Sequence, residues 1–165
     1  NAAMLIEAFT ASKARPALAL KAGEPATFLP ATILLIIGLF FSIFLHLILK
    51  SITTDLEPHN IFKRPVGAND CSLFNNGGLV EHESGFPSGH VTSVSFVMNY
   101  LYYQSSNNIK NNFIFNIPTI LVAIGRYMGN CHNIIQIIAG YLLGFSIAYL
   151  MIKYNTFLKT LMNKL

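Results

Sequence analysis

Charged residues are scarce in this sequence. They make up 11% of the 165 residues, whereas hydrophobic residues make up 53%, and ordinary globular domains carry about 25% charged residues. A soluble domain of this length needs more charge than that to cover its surface. The composition therefore excludes an ordinary soluble domain and predicts a protein whose surface is partly covered by lipid.

Cysteines are also few, and the basic residues are not clustered. The two cysteines, Cys71 and Cys131, are too few for a disulfide-rich scaffold and too far apart for a zinc site. The net charge of +4 comes from lysines and arginines that are spread thinly, without the basic stripe interleaved with aromatic residues that is typical of nucleic-acid binding. We therefore predict no nucleic-acid partner.

Apolar segments dominate residues 28–165, which are predicted to form one all-α domain, a polytopic transmembrane helical bundle with about four spans. The predicted spans are 28–49, 88–103, 113–129 and 132–152. The first span has no formal charge and about the 20 residues that a helix needs to cross a bilayer. His46, near its end, is interpreted as a structural polar residue at the interface or within the bundle. In the last span, Gly140, Gly144 and Ala148 recur at four-residue spacing, which predicts close helix packing.

The Ala-rich residues 1–27 differ in composition from everything after them. They are predicted to be a separate N-terminal segment that lies on the membrane surface or is poorly ordered. The alternatives are an interfacial helix, a weak further membrane segment, and a truncated start.

The distribution of charge predicts how the domain is oriented. If the four spans alternate in direction, the loop 50–87 and the turn 130–131 share one face of the membrane. Most basic residues lie on the other face, in the N-terminal segment, in the loop 104–112 and in the C-terminal tail. The positive-inside rule then makes the termini cytoplasmic and places the long loop on the non-cytoplasmic face. That face is oxidising, so a disulfide between Cys71 and Cys131 is a further hypothesis.

Polar runs at the predicted helix ends on this face suggest an anion site. Arg64 and Arg126 carry planar, permanently charged groups that suit phosphate oxygens. Ser88 and the backbone N–H of Gly89 lie where a helix begins, and the free N–H groups and the dipole there favour an anion. The alternatives are that each Arg is a snorkelling anchor and that Ser88 only caps a helix.

Two histidines on the same face could carry out the chemistry. His90 follows Ser88-Gly89 directly, and His132 follows the turn after Arg126. Together they could serve as a nucleophile and a general acid, although a lone histidine is more often structural. Gln136 lies one helical turn after His132, where its side chain can hold the imidazole ring in one tautomer.

These runs resemble the three-part signature of the type 2 phosphatidic acid phosphatase superfamily, whose pattern is Lys-x6-Arg-Pro, then Pro-Ser-Gly-His, then Ser-Arg-x5-His-x3-Asp. The resemblance covers residues 50–136. It implies that His132 attacks phosphorus and becomes phosphorylated, while His90 protonates the leaving oxygen. It also implies that no metal and no cofactor take part, because fixed cations surround the phosphate. The implied phosphate ligands are Arg64, Ser88, Gly89, Arg126 and a lysine.

The sequence departs from this pattern at several positions. Glu57 occupies the place of the lysine, so Lys50 is our first choice for the missing cation and Lys63 our second. Gly125 replaces the serine before the arginine. Gln136 replaces the aspartate, as in dolichyl diphosphatases, which points to a polyprenyl diphosphate substrate.

We therefore predict a membrane phosphatase of lipid metabolism that hydrolyses a lipid phosphate or a polyprenyl diphosphate and whose other partners are membrane lipids. Two alternatives stay open. One is a phosphatase of the same family that acts on a soluble phosphate ester, and the other is a catalytically silent protein that binds lipid phosphate. Members of the family usually have six spans, and the sequence does not determine the headgroup or the oligomeric state.

Overall fold

The computed structural model describes residues 28–56, 59–72, 74, 76–105 and 109–162. The predicted N-terminal segment 1–27 lies outside the described residues. The helices are α1 (Phe28–Ile52), α2 (His59–Phe62), α3 (Gly89–Gln104), α4 (Ile109–Met128) and α5 (Ile134–Met162). Within the described residues, extended pairing is limited to isolated bridges in the loop between α2 and α3, which confirms the all-α fold.

In the part of the chain that the structure describes, two helices are long and apolar enough to cross a membrane. They are the segments Ala31–Ile52 of α1 and Ile134–Asn155 of α5, and Phe113–Met128 of α4 is a shorter apolar segment. The outward faces of α1 and α5 expose large apolar side chains such as Phe40, Phe44 and Leu142. A soluble helix would bury these side chains, so the outer surface of the bundle is suited to lipid.

The central helix of the bundle is α3, which packs against α1, α4 and α5. Its apolar contacts centre on the buried Phe96 and Tyr100. Another face buries small polar side chains whose hydrogen bonds are made inside the protein: Ser95 Oγ donates to the carbonyl of Tyr141 at 2.9 Å, and Asn99 Nδ2 donates to the carbonyl of Ser95 at 2.8 Å. These internal partners explain why α3 is less hydrophobic than α1 although it lies deeper in the bundle.

Small residues allow α3 and α5 to approach closely, as the sequence predicts. A Cβ atom added at Gly144 would lie 2.3 Å from the carbonyl oxygen of Thr92, and one added at Gly140 would lie 2.6 Å from that of Ser88. Both contacts are with backbone, which cannot move aside as a flexible side chain can. The starts of α3 and α5 are therefore held together at the end of the bundle where the long loop lies.

The loop from residue 53 to residue 87 folds back over this end of the bundle. Lys63 pairs with Ser84, and Asn69 pairs with Leu79, in isolated antiparallel bridges. The loop is fastened to the turn between α4 and α5 by a disulfide that joins Cys71 to Cys131. The loop therefore has a defined structure, which it needs in order to position side chains over the helix ends.

Candidate active site

A cavity of about 340 Å³ lies between α1, the loop and the start of α3. It brings together residues that are far apart in the sequence, and none of its lining residues in the described part of the chain is acidic. The lining residues are His46, Lys50, Arg64, Gly89, His90, Ser93 and Val94. Four of these, Lys50, Arg64, Gly89 and His90, are among the residues for which the sequence predicts a role in phosphate chemistry.

The predicted nucleophile, His132, is almost fully buried, with 2% of its surface exposed. Its Nδ1 atom lies 3.1 Å from Oε1 of Gln136. Because an amide oxygen can only accept a hydrogen bond, Nδ1 carries the proton. The other ring nitrogen, Nε2, therefore keeps its lone pair and is available as a nucleophile.

The orientation of the Gln136 amide is fixed by the loop. Its Nε2 atom donates to the carbonyl of Ile61 at 2.9 Å and to that of Lys63 at 2.7 Å. Two carbonyl acceptors on one side leave only the amide oxygen to face His132. The loop thus selects the tautomer of His132 through Gln136.

Gly85 provides the space for this arrangement. A Cβ atom at position 85 would lie 2.6 Å from Oε1 of Gln136. Any larger residue there would push the amide away from His132. Gly85, which lies in the run that leads to His90, therefore helps to position His132 through Gln136.

The protonation state of His132 follows from its surroundings. Burial, followed by the positive charges of Arg64 and Lys50, lowers the pKa of His132 to about 3, and the hydrogen bond to Gln136 acts in the opposite direction. His132 is therefore neutral at physiological pH, as a nucleophilic imidazole must be. His132 is not among the residues that line the cavity, but the charges of two lining residues, Arg64 and Lys50, act on it.

Two polar atoms beside the cavity are buried without a hydrogen-bond partner among the described residues: Oγ of Ser88 and Nε of Arg64. Ser88 occupies the N-cap position of α3 but makes no capping hydrogen bond through its side chain. Helix capping alone therefore does not account for this serine. Buried polar groups are rarely left unpaired, and an anion bound in the cavity would supply an acceptor for both.

Arg126 and Lys63 do not line the cavity. Nη1 of Arg126 donates to the carbonyl of Cys71 at 3.0 Å, and Nζ of Lys63 donates to the carbonyl of Thr54. The charge of Arg126 nevertheless acts on His90. Of the two lysines considered for the first motif, the structure places Lys50 in the cavity and Lys63 outside it.

The turn that leads into His132 is held by several contacts with the loop. Nη1 of Arg64 donates to the carbonyl of Cys131 at 3.1 Å, and Nδ2 of Asn130 donates to the carbonyl of Val66 at 2.7 Å. The disulfide adds a covalent link from Cys71 to the residue directly before His132. The loop and the nucleophile are therefore fixed relative to each other.

The sequence predicts His46 as a structural polar residue at the interface or within the bundle. In the structure, Nδ1 of the partly buried His46 donates to the carbonyl of Ser42, and the side chain also lines the cavity beside Lys50 and His90. This second position could have been inferred from a periodicity in the sequence: Ser42, His46 and Lys50 recur at four-residue spacing in an otherwise apolar helix. Such spacing places all three on one face, which is the face turned toward the cavity.

A second cavity of about 260 Å³ lies between the end of α1, the end of the loop and α5. It is almost entirely apolar and adjoins the run that contains Ser88 and His90. Its lining residues are Leu49, Phe86, Pro87, Ala139, Leu142, Leu143 and Ser146.

Among the described residues, no group of three or more histidine, cysteine, aspartate or glutamate side chains is arranged to hold a metal ion. The polar cavity instead combines cationic side chains with two histidines and with the N-terminus of a helix. This is the chemistry of a site that binds and transfers a phosphoryl group.

The chain belongs to the PAP2 superfamily, whose family model matches residues 31–159. Members of this superfamily are phosphatases, so the protein is a phosphoric ester hydrolase in the general sense. No curated protein and no solved structure gave a significant match. The match to the family confirms the resemblance drawn from the motifs, whereas the likeness to dolichyl diphosphatases stays a prediction.

Proposed function

We propose that the protein is an integral membrane phosphatase that hydrolyses a lipid phosphate or a polyprenyl diphosphate through a phosphohistidine intermediate. The observation that carries this proposal is the hydrogen bond between Nδ1 of His132 and Oε1 of Gln136, at 3.1 Å. It leaves a lone pair on Nε2 of a neutral, buried imidazole on which the positive charges of Arg64 and Lys50 act.

In the first step, Nε2 of His132 attacks phosphorus and forms a P–N bond while the bond between phosphorus and the leaving oxygen breaks. An anionic substrate favours the protonated form of His90, which gives its proton to that oxygen, so the leaving group departs as a neutral hydroxyl or a protonated phosphate. In the second step, His90 takes a proton from water, the resulting hydroxide attacks phosphorus, and the P–N bond breaks. Inorganic phosphate is released, and both histidines return to their starting states.

Charge on the transferring phosphoryl group is stabilised by donors that are in place before the substrate binds. Arg64 and Lys50 line the cavity, Ser88 Oγ is unpaired among the described residues, and the free N–H groups at the start of α3 point toward the same region. Preorganised donors of this kind contribute most in the transition state. Arg126 supports the site through its charge and through its hold on the loop at Cys71.

The helices that surround the site favour a lipid substrate. The cavity lies beside α1, one of the two helices able to cross a membrane. An apolar cavity adjoins the same helix at Leu49. A lipid can therefore place its headgroup in the polar cavity while its chain stays in an apolar environment.

We further propose that the domain is multi-pass and that its site lies on the non-cytoplasmic face. Support comes from the excess of lysine and arginine outside the catalytic loop and its adjoining turn. A cysteine introduced at Val66, which is 74% exposed in the loop, should react with a membrane-impermeant maleimide in intact cells. A cysteine introduced at the exposed Lys153 should react only after the cells are permeabilised, and the reverse pattern would invert the topology.

The decisive experiment measures the release of phosphate by the purified protein in the presence of EDTA. The substrates are phosphatidic acid, phosphatidylglycerol phosphate and a polyprenyl diphosphate. We expect turnover of at least one of these lipids and a loss of about 10³-fold or more in His132→Ala. His82→Asn, which changes an exposed histidine of the same loop, is the matched control and should retain activity. Lys50→Met should lower turnover far more than Lys63→Met.

Each contrary outcome has a definite meaning. Turnover that persists in His132→Ala excludes the phosphohistidine mechanism. Lipid-phosphate binding without turnover identifies a silent binder, and turnover of soluble phosphate esters alone identifies the other alternative.

A further inference from the structure

Thr53, which follows α1 directly, has a buried hydroxyl between the helix and the loop. The residue is 5% exposed, and its Oγ1 atom lies 2.8 Å from the carbonyl oxygen of Leu49 in the last turn of α1. On the loop side, Oγ1 lies 3.1 Å from Oγ of Ser84 and 3.1 Å from the carbonyl oxygen of Phe86. A hydroxyl donates one hydrogen bond and can accept others, so Thr53 can donate to a carbonyl while it accepts from Ser84. This side chain therefore joins the end of α1 to the run that leads into α3.

The contacts of Thr53 lie close in the sequence to residues of the polar cavity. Lys50 is one helical turn before Thr53, and its carbonyl oxygen lies 3.3 Å from Oγ1 of Thr53. Phe86 comes shortly before Gly89, and both Lys50 and Gly89 line the cavity. One hydroxyl thus holds the end of α1, which carries the lysine of the cavity, against the segment that opens α3.

Ser84 connects the same junction to the segment that carries Arg64. It pairs with Lys63, the residue before Arg64, in an isolated antiparallel bridge. The backbone N–H of Arg64 also donates to the carbonyl of Glu83 at 2.8 Å, and Arg64 lines the cavity. The hydroxyl pair of Thr53 and Ser84 therefore lies where three segments of the chain meet, and each of these segments contributes a residue to the cavity.

We propose that Thr53 is a positioning residue that sets the distance between Lys50 and the start of α3. The inference rests on the proposed phosphatase function and goes beyond it, because Thr53 is not among the residues that line the cavity and acts through residues that are. Lys50 and the N–H groups at the start of α3 approach one phosphoryl group from different elements, so their separation determines how well both reach it. A displacement of about 1 Å can cost about 100-fold in rate.

Thr54 separates this role from simple closure of the helix end. Its Oγ1 atom donates to the carbonyl of Lys50 at 2.8 Å, so it makes the same kind of contact with the last turn of α1. The side chain of Thr54 is exposed, whereas that of Thr53 is buried against the loop. A hydroxyl that only closed the helix would be equally useful at either position.

The test compares Thr53→Val, which removes the hydroxyl from a branched side chain, with Thr54→Val. The substrate is whichever of the three lipids above wild type hydrolyses best. In Thr53→Val, kcat/KM should fall about 10-fold or more, while Thr54→Val should stay within about 3-fold of wild type. Thr53→Ser keeps the hydroxyl and should recover most of the loss.

A double-mutant cycle with Lys50→Met distinguishes positioning from a general loss of stability. If Thr53 acts through Lys50, the loss caused by Lys50→Met should be at least about 3-fold smaller in the Thr53→Val background than in wild type. Losses that multiply in the double mutant, or an equal loss in Thr54→Val, would overturn the proposal. Should Thr53→Val fail to fold, Ser84→Ala removes the partner hydroxyl and takes its place in the same cycle.

Binding of inorganic phosphate separates this proposal from catalysis. The Kd of phosphate, measured from the rise in thermal midpoint in detergent, should increase about 3-fold or more in Thr53→Val and should be unchanged in Thr54→Val. If wild type hydrolysed no lipid but the two variants differed in this way, the phosphatase function would fail and the positioning role would stand. If wild type hydrolysed lipid and Thr53→Val matched it in both turnover and phosphate binding, only the positioning role would fail.

Discussion

At the scale of single residues, Gln136 connects the loop to the nucleophile. One side of its amide donates to two loop carbonyls, and the other side accepts from His132. An aspartate, which the family pattern has at this position, could accept from the histidine but could not donate to the loop. The glutamine is therefore compatible with an active enzyme and couples the position of the loop to the tautomer of His132.

Replacing this glutamine with an isosteric apolar residue should affect both stability and rate. In Gln136→Leu the carbonyl of Lys63 loses its donor and that of Ile61 keeps only Nδ2 of Asn133 at 3.5 Å, which should cost about 1–3 kcal/mol of stability. The rate should fall about 100-fold or more, because the imidazole is no longer held in one orientation. Thermal unfolding and single-turnover phosphorylation measure the two effects. Gln104→Leu, at the opposite end of α3, is the control, and a rate equal to wild type in Gln136→Leu would contradict the positioning role.

The burial of His132 should also make stability depend on pH. The pKa of His132 in the folded protein is about 3, below its ordinary value of 6.5. As the pH falls from about 6.5 to about 3, His132 therefore becomes protonated in the unfolded chain but stays neutral in the folded protein. The stability contributed by neutral His132 is complete above this window and is lost within it, with a slope of up to about 1.4 kcal/mol per pH unit.

His132→Asn should remove this slope. The difference in unfolding free energy between wild type and His132→Asn, measured at pH 7, 5.5 and 4.5, isolates the contribution because all other titrating groups are shared. Parallel curves for the two proteins would show that His132 titrates normally.

At the scale of helices, the two glycines of α5 that face α3 control the spacing of the site. Gly144→Leu would drive a side chain into the backbone at Thr92, and overpacking of this kind costs about 1–3 kcal/mol. We expect the variant to lose most of its turnover, because His90 and His132, the proposed catalytic pair, lie at the starts of α3 and α5. Phosphate release and thermal unfolding measure these effects. Leu150→Ala, at an exposed position of α5, should be nearly neutral, and a fully active Gly144→Leu would show that the site tolerates a wider spacing.

The same scale shows what could be predicted from the sequence. Each predicted span corresponds to a helix of the structure, because uninterrupted apolar runs leave few alternatives. The hydrogen-bond partner of Ser95 could not be predicted, since its acceptor, the carbonyl of Tyr141, lies on another helix. The four-residue spacing of Ser42, His46 and Lys50 places His46 on one face of α1, but its contact with Gly89 depends on how α1 packs against α3. The position of Arg126, bound to Cys71, likewise depends on how the loop folds.

At the scale of the whole molecule, the disulfide fastens the catalytic loop to the helical bundle. It links residues 60 positions apart, and a loop of this length corresponds to about 4 kcal/mol of stabilisation in the chain-entropy model. Reduction should lower both the thermal midpoint and the rate, because the loop contains Arg64 and its carbonyls orient Gln136. The variant with both Cys71→Ser and Cys131→Ser should resemble the reduced protein and should not respond to reductant. A wild-type protein whose activity and thermal midpoint are unchanged by reductant would contradict this role.

The position of the disulfide also bears on the maturation of the enzyme. Cys131 directly precedes His132, the proposed nucleophile. The disulfide therefore forms next to this residue of the proposed catalytic pair. A newly synthesised chain that has inserted into the membrane but has not yet met an oxidant would hold His132 on an unfastened turn. In pulse-labelled cells, enzymatic competence should therefore appear later than membrane insertion, at the rate at which the thiols are oxidised.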